Sequence, residues 1–123
     1  MAENDEKEPS GGRASHIAPA AGNNSPPISF NRRELNEIFE VYGRKVADGE
    51  WRDYAIDQLR ERAVFSIFRH ASEIPLYRIV KQPREPRRQG PYLVVAASGM
   101  IVKRGDDLGR VLRVLDPRLS VVA

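Results

Sequence analysis

A single small α+β domain is what this sequence predicts, with an N-terminal helix, an antiparallel β-meander of about four to five strands and a short C-terminal helix. Three observations lead there. Strand-like runs follow one another without helices between them, a pattern that excludes strict β-α alternation. One strongly periodic helical stretch precedes those runs, and a shorter one follows. All nine aromatic residues (one Trp, four Tyr and four Phe) lie between Phe30 and Tyr92, which locates the core. The chain's 123 residues leave room for one such core.

Residues 1–28 are rich in Gly, Pro, Ser, Asn and Ala and have no hydrophobic periodicity. Such a stretch cannot bury enough apolar surface to offset its ordering entropy, so it is expected to be a disordered tail, with residues 29–123 forming the domain. The net charge of +3 divides unevenly. The tail holds two basic and four acidic groups, and the domain eighteen basic and thirteen acidic. A mildly basic domain attracts polyanions weakly, and the same charge also serves solubility.

Order is expected to begin at Phe30. Asn31 is an N-cap and Glu34, three residues on, completes a capping box; Phe30 and Leu35 then stand as a hydrophobic staple. Leu35, Ile38, Phe39, Tyr42 and Val46 repeat at the spacing of one helical face, and Gly49 ends it, so a helix is predicted over residues 31–48. Residues 51–62 fit either a helical face (Trp51, Tyr54, Ala55, Leu59) or an edge strand. Val64–Arg69 reads as a central strand because both its faces are apolar. Pro75–Lys81 is a strand that opens on its proline. Gln82–Gly90 is a loop. Tyr92–Ala97 and Met100–Lys103 are strands joined at Ser98-Gly99, read as a two-residue hairpin. Asp106 or Asp107 caps a short helix that buries Leu108, Val111, Leu112 and Leu115, and Leu119–Val122 could add a last edge strand.

Four strings carry a resemblance to a known family: Ser29-Phe30-Asn31-Arg32-Arg33-Glu34-Leu35, Gly49-Glu50-Trp51-Arg52-Asp53-Tyr54-Ala55-Ile56-Asp57, Ala63-Val64-Phe65-Ser66-Ile67-Phe68-Arg69 and Pro75-Leu76-Tyr77-Arg78-Ile79. Over Ser29–Val122 the chain resembles a family of small, chiefly alphaproteobacterial proteins catalogued as domain of unknown function 2794. The resemblance implies a bacterial, cytoplasmic protein. It implies no activity and brings no functional residues.

Catalysis finds little support in the residues. With no cysteine, thiol chemistry, thiolate metal sites and disulfides are excluded. His70 is the one histidine outside the tail, and Ser66 on the same strand lies about 13 Å away, too far for a nucleophile–base pair. There is no HExxH, no Walker lysine and no paired acid and base, so the chain is read as a non-enzyme without a metal or cofactor. No run approaches a membrane span and no secretory signal is present, so a cytoplasmic protein that does not engage membranes is expected.

Two groups of residues could bind something. Trp51, Arg52, Asp53 and Tyr54 have the composition of interface hot spots, against the plainer reading that the two aromatics close the core. Lys81, Arg84, Arg87 and Arg88, with Arg69, Arg78 and His70 nearby, could hold a phosphate backbone while Phe65, Phe68, Tyr77 and Tyr92 stack bases. Against this stand a solvated loop and the absence of any RNP, KH or helix-turn-helix signature. The favoured expectation is a non-catalytic binding or regulatory module acting through a protein partner or as a homodimer, since strands apolar on both faces need cover on both. The alternative is a nucleic-acid-associated protein using the 81–88 loop.

Overall fold

A computed structural model describes residues 26–70, 74–83 and 90–116. Asn31 starts the first helix as its position predicts: its side chain accepts from the Glu34 amide at 2.8 Å, and the Glu34 carboxylate accepts from the Asn31 amide at 2.8 Å. The helix, α1, spans Arg32–Ala47. At its end Gly49 takes φ +79°. The Gly49 amide bonds the Val46 carbonyl and the Glu50 amide the Lys45 carbonyl, the paired bonds of a Schellman cap.

Five strands follow: β1 (Asp53–Gln58), β2 (Ala63–Phe68), β3 (Tyr77–Lys81), β4 (Tyr92–Ala96) and β5 (Ile101–Gly105), then α2 (Leu108–Leu112). They form one sheet in the order β1-β2-β3-β4-β5, every pair antiparallel, so the predicted α+β meander holds. The segment that fitted either a helix or a strand becomes edge strand β1, because pairing Ala55 with Ser66 and Ile56 with Phe65 satisfies its backbone against β2. The β4–β5 turn is one residue longer than Ser98-Gly99 suggests. The Ala96 amide bonds the Met100 carbonyl and the Gly99 amide the Ala96 carbonyl, and Gly99 sits at φ +94°. That is a three-residue loop ending on a left-handed glycine. Asp107, not Asp106, caps α2.

Both helices pack on one face of the sheet. Ile38 and Val41 of α1 and Leu108, Val111 and Leu112 of α2 share a core with Phe65, Ile67, Ile79 and Val94. Each fully buried aliphatic or aromatic side chain contributes roughly 1.5–3 kcal/mol. The other face holds Val64, Val80 and Leu93, with Val95 beside them. These three are only 4–6% exposed in the single chain, so that face needs no second copy to cover it. Burial of those three within one chain removes them as a reason to expect a homodimer.

Two further expectations are corrected. Order begins before Phe30, since the Ile28 amide donates to the Leu59 carbonyl at 2.8 Å and its side chain packs on the core. The helical stripe is rotated from the predicted one, with Glu34, Ile38 and Val41 buried and Phe39 and Val46 left 36% and 41% exposed. A polar residue sits on the buried face because Glu34 has partners there, described below. Residues 1–25 and the expected strand at Leu119–Val122 lie outside the described residues.

Candidate protein-contact surface

The string Trp51-Arg52-Asp53-Tyr54 divides at the start of β1, with Trp51 and Arg52 ahead of the strand and Asp53 and Tyr54 on its opposite faces. Trp51 is buried at 3% exposure, with the Lys45 ammonium 5.9 Å from its ring centre, and serves the core. Arg52 and Asp53 are exposed at the start of β1, where the Arg52 amide is held by the Phe68 carbonyl at 2.9 Å. Tyr54 faces the helix side, stacked on Phe65 at 5.0 Å between ring centres, yet keeps 45% of its surface in solvent.

Around Tyr54 an aromatic cluster forms. Phe39 and Tyr42 of α1 each meet its ring edge-on at 5.2 Å. Burial raises the Tyr42 phenol above its usual range, and the nearby Asp53 carboxylate and Tyr54 add to the shift. Val46, one turn further along α1, continues the stripe outward. Phe39 and Tyr54 therefore make an exposed aromatic pair between α1 and β1, with Val46 exposed further along the helix and Arg52 and Asp53 next to Tyr54 in the chain.

The described basic residues of the expected cluster lie at separate places on the sheet. Arg69 follows β2 at the end where β1 begins, close to Arg52 and Asp53 in the register, and is exposed. Arg78 is half-buried in β3 opposite Ser66 and Val95, on the sheet face away from the helices. The loop after Lys81 leaves from the opposite end of β3, about 13 Å along the strand from Tyr77. Arg84, Arg87 and Arg88 themselves lie outside the described residues.

Nor do the sheet aromatics make a platform for stacking bases. Phe65 is fully buried, Tyr77 and Tyr92 pack against the core beneath the helices, and Phe68 alone turns to the other face. His70 is exposed, as expected of a strand end.

Lys81 and Tyr92 have a different task, one that sequence reasoning missed. The Lys81 ammonium donates to Glu34 at 2.8 Å and to the Ser29 carbonyl at 2.9 Å, while the Tyr92 hydroxyl donates to the other Glu34 oxygen. Burial alone would raise the Glu34 carboxyl; the bonds from Lys81, Tyr92 and the Asn31 amide outweigh it and hold the group below its usual range. Tyr92 is pushed far up, by burial first and then by Glu34. The signal that could have found this was the β3–β4 hairpin, which sets Lys81 opposite Tyr92. With its capping bonds, the network ties the start of α1 to the sheet, and Glu34 is only 3% exposed. Its role is structural.

The sequence matches the family described as "Protein of unknown function (DUF2794)" over residues 28–112. The chain belongs to that family. The match begins at Ile28, whose amide bonds Leu59, and ends with α2. No curated protein and no solved structure matches the chain. No described helix is long and apolar enough to cross a membrane.

Proposed function

We propose that this protein is a non-catalytic binding module that acts through a protein partner, with the Phe39–Val46–Tyr54 surface as its contact. The observation behind this reading is the exposure of those three side chains, 36%, 41% and 45%, with the Phe39 ring against Tyr54 and Val46 two turns further along α1. A core that only needed closing would have turned this part of the stripe inward. Apolar and aromatic area flanked by an arginine is the composition of interface hot spots. A different protein is favoured over a second copy. A β1-to-β1 pair would bring two copies of Asp53 and Asp57 onto one seam, and like charges across strands are unfavourable. A cytoplasmic setting fits the absence of cysteine.

The test is a pull-down from native-host lysate with the wild-type chain and a Phe39→Glu/Val46→Glu variant, each with and without nuclease. Both positions are exposed, so the variant should keep its far-ultraviolet circular dichroism. Proteins retained by the wild type after nuclease treatment should be lost with the variant. Equal retention by both would remove the patch from consideration. Retention abolished by nuclease would favour the nucleic-acid reading instead.

A further inference from the structure

We propose that the partner protein engages this surface through an extended segment that joins edge strand β1 antiparallel as a further strand. Its side chains are aromatic opposite Tyr54 and basic opposite Asp53 and Asp57. This inference rests on the partner-contact reading above and names the chemistry of the segment bound.

The main chain offers the place. Among the described residues β1 has one strand neighbour, β2, and no strand on its outer side. The Leu59 amide donates to the Arg62 carbonyl at 2.8 Å, which turns the Leu59 backbone toward the β2 side. Antiparallel alternation turns Asp57, Ala55 and Asp53 the same way. The N–H and C=O groups of Tyr54, Ile56 and Gln58 therefore point outward. An unpaired row of this kind is the template on which an extended peptide adds main-chain hydrogen bonds.

The side chains select the occupant. On the helix side, the Tyr54 and Phe65 rings are stacked with their planes 10° apart. Phe65 belongs to β2, so the second face of the Tyr54 ring turns past β1 toward the open edge. Phe39 and Tyr42 do not close that face. Each lies 5.2 Å from Tyr54, but they are also 5.4 and 6.1 Å from Phe65, which puts them beside the stack and not on its end. A ring opposite Tyr54 on the added strand continues the stack. On the other sheet face, Asp53 and Asp57 are exposed, and across the β2 ladder they meet only Phe68 and Val64. Arg52 and Arg62 border this row, yet among the described residues neither carboxylate makes an ion pair. Directly opposed side chains of an antiparallel pair stand about 4.5–5.5 Å apart at Cβ, so cations on the added strand reach both carboxylates.

Fluorescence anisotropy with the full chain tests the proposal, using labelled peptides with the core Lys-Val-Thr-Phe-Lys, which runs antiparallel from Asp57 to Asp53. The parent peptide should bind saturably and weaken as salt is added. Methylating its Val and Phe amides, the two that face β1, should weaken binding roughly tenfold or more. Replacing its Phe by Ala should weaken binding roughly threefold to tenfold. An Asp53→Lys/Asp57→Lys variant with unchanged circular dichroism should lose the parent peptide and bind a Glu-Val-Thr-Phe-Glu core instead. No saturable binding, equal binding of the methylated peptide, or an unchanged preference in the variant would each overturn the proposal. Binding that appears only after residues 1–25 are removed would make the chain's own N-terminal segment the occupant and overturn it too. If the Phe39→Glu/Val46→Glu variant loses partners in the pull-down while no peptide binds, strand addition falls and the contact surface stands. If that variant keeps its partners and no peptide binds, both fall.

Discussion

Replacing Lys81 with Met leaves the Glu34 carboxylate buried with donors from Tyr92 and the Asn31 amide only. In the native protein Glu34 sits below its ordinary 4.5, so its contribution is present above that value and is lost as pH falls through the lowered one. Without the Lys81 bond and charge, burial is less opposed and the carboxyl rises from its lowered value. The Lys81→Met variant should therefore be less stable at neutral pH, and part of the deficit should disappear on acidification as Glu34 takes up a proton. Urea unfolding from about pH 7 to about pH 3 shows this directly. Parallel curves for variant and wild type would mean Lys81 does not keep Glu34 ionised. Neighbouring positions on α1 make a second comparison. Ile38 is 1% exposed and Phe39 36%, so Ile38→Ala should cost about 2–5 kcal/mol and Phe39→Ala only about 1–2 kcal/mol. A larger loss at Phe39 would mean that its ring belongs to the core after all.

At the scale of elements, two glycines separate conformational from steric need. Gly99 has φ +94° with open space around it, so Gly99→Ala should cost about 1–2 kcal/mol from the left-handed backbone alone. Gly90 has φ +84°, and a Cβ there would lie 2.2 Å from the Gly105 carbonyl carbon. Gly90→Ala adds a backbone clash, and should cost clearly more than Gly99→Ala in thermal or denaturant unfolding. Similar losses would show that the Gly90 and Gly105 segments part easily. Local signals decide which elements are legible in the chain. Helix α1 is legible because the Asn31–Glu34 capping box at its start, the Ile38 repeat along it and Gly49 at its end agree. The segment from Trp51 to Leu59 is not, since its apolar spacing suits a helix as well as an edge strand. Only its ladder with β2 selects the strand. The same limit hides the Glu34–Lys81–Tyr92 network, which depends on a hairpin bringing residues from distant parts of the chain to the helix start.

For the whole molecule, the question is where the domain begins. Composition alone sets the boundary after residue 28, because Pro26-Pro27-Ile28 follows a polar stretch and one isolated isoleucine gives no periodicity. One long-range contact places it earlier, since Ile28 is fixed to Leu59 at the β1–β2 turn; next to it the Ser29 carbonyl accepts from Lys81 at the end of β3. The first segment thus spans the sheet's end and carries α1 into position over it. Removing residues 1–25 should leave the thermal midpoint nearly unchanged, because their composition supplies little apolar area to bury. Removing residues 1–29 should cost roughly 1–2 kcal/mol from the lost half-burial of Ile28 and the lost backbone bonds. For a domain of this size that lowers the midpoint by about 4–8 °C per kcal/mol. Calorimetry of the two truncations and the full chain decides the point. If the shorter deletion already lowers the midpoint as far as the longer one, the stabilising contacts lie upstream of Pro26, and Ile28 is not the anchor.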